Sequence, residues 1–231
     1  MKDKDYIKKN FEQVRGAIRR ACERSGRSQD SVTLIAVSKY KPVTMIHDAM
    51  ECQQTVFGEN RVQELCEKMD MIEEDVKWHM IGHLQKNKVK YIIGKVERIH
   101  SVDSIALAEQ ISKEASKKGV LTHILLEVNV AEEDSKFGFS VEETEEAVRK
   151  IATLPGVHIC GLMTIAPFVE NPEDNRIHFK KLYQLSVDIK GKNIDNVDMS
   201  ELSMGMTGDF EVAIEEGATM VRVGTGLFGS R

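Results

Sequence analysis

Eight short apolar runs recur along this chain, at residues 34–39, 55–59, 78–82, 98–102, 123–130, 158–165, 199–204 and 220–223, and a stretch of helical periodicity separates each from the next. The first run, Leu34-Ile35-Ala36-Val37, is short and partly β-branched, as suits a parallel strand covered on both faces. The intervening segments, at 43–51, 62–69, 86–92, 104–118, 141–154, 173–189 and 209–216, repeat apolar residues at three- and four-residue steps. A further helix, roughly residues 6–25, precedes the first strand; Ile7, Phe11, Val14, Ile18 and Ala21/Cys22 form its stripe, and Gly26 suits its end. Strict alternation admits an open doubly wound sheet or a closed barrel. Eight strands, 231 residues and no GxGxxG after the first strand favour a single (β/α)8 TIM barrel with an extra N-terminal helix. Pro155-Gly156 and Asn171-Pro172 mark turns, not linkers, so one domain is expected over residues 1–231, with no room for a second at either end.

Composition narrows the partners. The net charge of −5 argues against general nucleic-acid binding, and Lys8-Lys9 and Arg19-Arg20 sit among acidic residues as a solvated helix face would. Cys22, Cys52, Cys66 and Cys160 show neither disulfide nor zinc spacing, so free thiols of a reducing cytosol are expected. No apolar leader follows Met1, and no run reaches 18 apolar residues, so a cytoplasmic protein without a membrane partner is expected. A monomer is also expected, because no long apolar surface stripe stands out.

The chemistry is sought at the C-terminal ends of the strands, which converge on one mouth in a barrel. Lys39 closes the first strand. A partly desolvated amine there would have a lowered pKa and could attack a carbonyl to form a Schiff base. The seventh and eighth strands end in Ser203-Met204-Gly205-Met206-Thr207-Gly208 and Arg222-Val223-Gly224-Thr225-Gly226. These loops are small, glycine-rich and bear the hydroxyls of Ser203, Thr207 and Thr225, as a phosphate cradle requires. Arg222 alternates with Val221 and Val223, so if the valines face the helices Arg222 points into the barrel; an ion pair with a carboxylate such as Glu201 is the structural alternative. His79, His83 and His100 show no metal-ligand spacing and read as core or solvated histidines. Asp103 and Glu59 are a conceivable carboxylate pair whose separation nothing in the sequence sets.

An imine-forming lysine, a phosphate clamp and an inward arginine together fit pyridoxal 5′-phosphate. Arginine only donates, so facing the pyridine nitrogen it would hold that nitrogen unprotonated and make the ring a weak electron sink. These residues lie in segments that resemble the YggS/PROSC family of pyridoxal phosphate homeostasis proteins. The matching segments are Ala36-Val37-Ser38-Lys39 with Lys41-Pro42, Phe57-Gly58-Glu59-Asn60-Arg61-Val62-Gln63-Glu64, Trp78-His79-Met80-Ile81-Gly82-His83-Leu84-Gln85 with Asn87-Lys88, Gly161-Leu162-Met163-Thr164, Leu202-Ser203-Met204-Gly205-Met206 and Arg222-Val223-Gly224-Thr225. The resemblance implies a barrel like the N-terminal domain of alanine racemase, with Lys39 as the aldimine lysine. It implies Ser203, Gly224 and Thr225 at the phosphate, Arg222 at the pyridine nitrogen and Asn60 near the cofactor, with Met204 and Thr207 in the same cofactor-binding set. Thr207-Gly208-Asp209 departs from the family's Ser-x-Asp but keeps the hydroxyl.

Function is expected to be holding, buffering and delivering pyridoxal phosphate, with apo forms of enzymes that use it as recipients and no catalytic residue. Racemases of this fold use a second domain and a tyrosine base from a partner subunit; of Tyr6, Tyr40, Tyr91 and Tyr183, only Tyr40 lies near a strand end. The alternatives are a racemase-like amino-acid enzyme and a cofactor-free Schiff-base aldolase, which would leave Arg222 unexplained. Lys136, in Ser135-Lys136-Phe137-Gly138, is a lesser candidate for an aldehyde contact and reads better as a solvated loop lysine.

Overall fold

The computed structural model describes residues 2–133 and 137–230, with side chains from residue 5 onward; Lys136 falls outside the described residues. Eight parallel strands close a barrel in sequence order: β1 (Thr33–Val37), β2 (Val56–Glu59), β3 (Lys77–Met80), β4 (Arg98–Val102), β5 (Thr122–Glu127), β6 (Val157–Met163), β7 (Val197–Met206) and β8 (Met220–Val223). The closure joins β8 to β1, with Ile35 beside Arg222 and Ala36 beside Val223. The helices are α1 (Lys2–Arg24), α2 (Val43–Glu51), α3 (Val62–Met71), α4 (Val89–Ile92), α5 (Ile105–Lys118), α6 (Val141–Ala152), α7 (Arg176–Lys190), α8 (Phe210–Glu215) and α9 (Thr225–Phe228).

Strand alternation sorts the core into two layers. Ala36, Phe57, Met80, Ile99, Ile124, Leu126, Ile159, Leu202, Met204, Val221 and Val223 face outward and pack with Ile46, Leu65, Ile111, Val148 and Phe179 of the helices. Apart from Ala36, each such side chain contributes about 1.5–3 kcal/mol by leaving water. The α1 stripe is buried as its spacing predicts, and α1 packs on α2, α8 and α9. Gly26 ends that helix at φ +66°, with the Arg27 N–H reaching back 2.9 Å to the Cys22 carbonyl.

Several boundaries differ from the sequence expectation. β3 stops at Met80, before Ile81-Gly82, because the chain turns against Asn60: a Cβ on Gly82 would lie 2.5 Å from the Asn60 carbonyl oxygen. The run 123–130 is strand only to Glu127, after which Val128 makes a single bridge to Phe139. The helix expected at 86–92 is a 3₁₀ turn at Lys86–Lys88 leading into the four-residue α4. β7 is longer at both ends than 199–204, and its extension to Met206 changes where Ser203 lies.

Candidate functional site

Lys39 follows β1 by two residues, half-buried at the barrel mouth, next to the loop that follows β8. It occupies a turn closed by the Lys41 N–H on the Ser38 carbonyl at 2.9 Å. Tyr40, the third residue of that turn, has φ +61°, a position normally given to glycine or asparagine. Such strain costs about 1–3 kcal/mol and concentrates at functional sites. The Arg61 guanidinium stacks 5.0 Å from the Tyr40 ring centroid, and the Tyr40 N–H donates to Glu64 at 2.6 Å.

Arg222 points into the barrel, as its alternation with the outward valines predicts, and is 5% exposed. The ion pair with Glu201 does not form: Glu201 pairs with Arg98 at 3.1 Å. Arg222 instead donates to Ser203 Oγ at 2.6 Å and to the Thr164 carbonyl at 2.8 Å. These contacts use two of its five N–H groups and leave donors for a ligand acceptor. Burial lowers its pKa from 12.5 to about 10, so it stays a cation and a pure donor at neutral pH.

Ser203 is thereby corrected from a loop hydroxyl to an interior one. Because β7 runs on to Met206, Ser203 sits three residues below the strand end, fully buried beneath Arg222. Met204, the next residue, faces the helices in the outer core, so its side chain does not reach the mouth. Below Ser203 the chain of contacts continues: Ser203 Oγ lies 2.8 Å from His100 Nδ1, and His100 Nε2 lies 2.8 Å from His79 Nδ1. Arginine can only donate, so Ser203 accepts from it and passes its own proton toward His100 Nδ1. His100 then donates from Nε2 to His79, whose remaining proton is also on Nε2. Burial keeps both rings neutral, lowering His79 to about 3 and His100 well below 6.5. The sequence hides this relay, because Arg222, Ser203, His100 and His79 lie on four different strands and each histidine alone reads as core.

Thr207, Thr225 and Gly226 do come together. The Thr225 hydroxyl is 3.2 Å from Thr207 Oγ1, which also accepts the Gly226 N–H at 3.3 Å. Asp209 braces the loop by accepting the Met206 N–H at 2.7 Å and the Asn175 amide at 2.8 Å. A Cβ on Gly226 would stand 3.0 Å from both Thr207 Cγ2 and Val223 Cγ1, so any side chain there would push the Thr207 and Val223 methyls aside. Gly224 lies against Val37, two residues before Lys39; a Cβ there would be 3.4 Å from the Val37 Cβ. The hydroxyl loops and the amine thus share one corner of the mouth.

Three further features lie at or beside the ends of other strands. Asn60 Oδ1 is buried and has no hydrogen-bond partner, an acceptor that a ligand donor would satisfy. Glu127, at the end of β5, is buried, and its carboxyl is pushed up to about 7 by burial and by Asp103, against the pull of Arg222. Glu59 and Asp103 are held by other partners rather than by each other: Glu59 contacts Lys68 at 2.6 Å and Asp103 contacts His83 at 3.0 Å. Phe137 stacks on that His83 with 4.0 Å between ring centroids, and Tyr40, Ile165, Phe168 and Met206 add exposed apolar surface at or beside strand ends. Among the described residues, no group of three His, Cys, Asp or Glu is placed to hold a metal ion, and no helix is long and apolar enough to cross a membrane. For pyridoxal phosphate the donor set fits: a lysine for an aldehyde, an arginine with spare donors, an orphaned amide oxygen and a hydroxyl-lined glycine cradle.

Comparison with known proteins shows the family. The family of alanine racemase N-terminal domains matches residues 3–231. The pyridoxal phosphate homeostasis protein of Aquifex aeolicus is 47% identical over 215 residues, covering 93% of each chain. The pyridoxal phosphate homeostasis protein of Escherichia coli strain K12 is 35% identical over 230 residues, covering 97% of each. Among solved structures, PipY of Synechococcus elongatus with pyridoxal phosphate bound superposes with a TM-score of 0.81 at 34% identity, over 92% of this chain and 100% of that one. On the family match and these near-full-length identities, this chain belongs to the pyridoxal phosphate homeostasis proteins, a family built on the alanine racemase N-terminal-domain barrel.

Proposed function

We propose that this protein binds pyridoxal 5′-phosphate at the barrel mouth and serves as its reservoir, holding the cofactor on Lys39 and releasing it to enzymes that need it. The observation that carries this is Arg222: a buried, donor-only cation on β8, which pairs with the strand leading to Lys39 and runs into the hydroxyl-lined glycine loop. A cofactor-free aldolase would use the amine and the loop but has no task for that arginine. Bound cofactor would supply an electrophilic aldehyde, and Lys39 is the amine at the mouth that would hold it. Thr207, Thr225 and the backbone of Gly224 and Gly226 hold the phosphate. Arg222 donates to the pyridine nitrogen, with Ser203 and Thr164 holding its guanidinium in place. The orphaned Asn60 oxygen would accept from the ring hydroxyl, the one donor such a ligand offers once its ring nitrogen is unprotonated.

Holding fits these residues better than turnover. Arg222 keeps the pyridine nitrogen unprotonated, which weakens the ring as an electron sink. Racemisation also needs an acid and a base on opposite faces. Of the tyrosines, only Tyr40 lies at the mouth; Tyr6 packs beside Gly229, Tyr183 beside Gly217 and Tyr91 beside Lys88 and Lys90. The group that would favour an enzyme is Glu127, whose carboxyl near 7 has the affinity of a general base. The exposed apolar residues around the mouth supply surface for a recipient's approach, and the protein acts as a cytoplasmic monomer. Titration with pyridoxal phosphate, followed in the visible, should show an imine band that disappears in Lys39→Ala. Alanine incubated with the loaded protein in deuterium oxide should keep its α-proton; exchange at enzymatic rates would replace the reservoir with a racemase-like activity.

A further inference from the structure

Lys68 lies on α3, far from any strand end, yet its side chain crosses to the back of the turn that bears Lys39. Its ammonium has three donors. Three acceptors meet them: the Ser38 carbonyl at 2.7 Å, Glu59 Oε1 at 2.6 Å and Glu64 Oε1 at 2.7 Å. The two carboxylates extend the grip. Glu59 Oε1 also accepts the Ser38 hydroxyl at 2.6 Å, and Glu64 Oε1 also accepts the Tyr40 N–H at 2.6 Å. Both chain neighbours of Lys39 are therefore tied to one ammonium, directly or through one carboxylate.

This placement is unusual for a structural device. Lys68 and Glu59 are both buried, and a buried ion pair seldom stabilises more than apolar residues of the same volume. What this one does is hold a turn whose third residue, Tyr40, sits at φ +61°. Without an acceptor on its N–H, an aromatic residue has little reason to stay in that region. We infer that Lys68 is a positioning residue: through Glu59 and Glu64 it locks the Ser38–Lys41 turn and presents the Lys39 amine at one point of the mouth. The inference rests on Lys39 being the amine that meets the aldehyde.

The test compares wild type with K68M/E59Q, which removes both buried charges together, and with E64A, which leaves the Lys68–Glu59 contact in place. Folding is checked by circular dichroism. Peptide-level hydrogen exchange over residues 38–41 reads the turn without cofactor, and borohydride trapping after timed mixing with pyridoxal phosphate reads the rate at Lys39. Exchange should accelerate about tenfold and trapping at Lys39 should slow about tenfold in both variants, while labelling of surface lysines stays unchanged. If K68M/E59Q does not fold, E64A decides. A folded variant with wild-type exchange and a wild-type trapping rate overturns the positioning role while leaving the proposed function standing. Wild type that is never trapped at Lys39 overturns the function and this inference together.

Discussion

Replacing Glu127 by glutamine should remove a pH dependence that the fold builds into the barrel mouth. In the folded chain the Glu127 carboxyl is lifted from 4.5 to about 7, first by burial and then by Asp103, with Arg222 pulling the other way. Between those values the folded state holds a proton that the unfolded state releases, so stability falls as pH rises. The contribution is fully present below pH 4.5 and lost once the pH has passed 7. At about 1.4 kcal/mol per pH unit, the span corresponds to about 3 kcal/mol at most. Glutamine is neutral throughout, so Glu127→Gln should match wild type near pH 4.5 and exceed it at pH 8. For a domain of this size that difference is a rise of about 6–12 °C in midpoint. Thermal unfolding of both proteins from pH 4.5 to 8.5 measures it, and every other titrating group is common to the pair. Parallel profiles, or a variant less stable than wild type at pH 8, would refute the assignment of a high-pKa carboxyl to this site.

Two other substitutions probe the remaining parts. Ser203→Ala leaves an Arg222 N–H and the His100 Nδ1 without their partner, a loss of about 1–3 kcal/mol in unfolding free energy, and it should shift the absorbance of bound cofactor by freeing the guanidinium; an unchanged spectrum with unchanged stability would remove the relay. Thr207→Val keeps the shape but deletes the hydroxyl between Thr225 and Gly226. It should weaken pyridoxal phosphate about tenfold, measured by equilibrium titration, while pyridoxal, which lacks the phosphate, binds as before; equal losses for both ligands would place the phosphate elsewhere.

The barrel was legible because eight buried parallel strands must each be a short apolar run, and only glycine and polar residues interrupt them at the mouth. Lys39, Arg222, Thr207, Thr225 and Gly224 were legible as positions because a strand end and an alternation settle where a residue points. Ser203 was misplaced because the two residues beyond the expected end of β7, Gly205 and Met206, look like a loop; Gly205 is glycine because the strand passes through φ +90° there, against Ala213 and Phe210, which leave no room for a Cβ. Lys68 was invisible for another reason. With Glu64 four residues before it on a helix, it reads as an ordinary surface pair, and only the packing of α3 against the Lys39 turn buries it. The raised pKa of Glu127 depends on burial in the closed barrel, on Asp103 just past β4 and on Arg222 of β8, which no local pattern carries.

The most direct test of the account is to load the protein with pyridoxal phosphate, reduce with borohydride and map the labelled peptide. A single phosphopyridoxyl group on Lys39, absent from Lys39→Ala protein that still folds, is the result the account predicts. A label distributed over surface lysines, or retained in full when Lys39 is replaced, would contradict it.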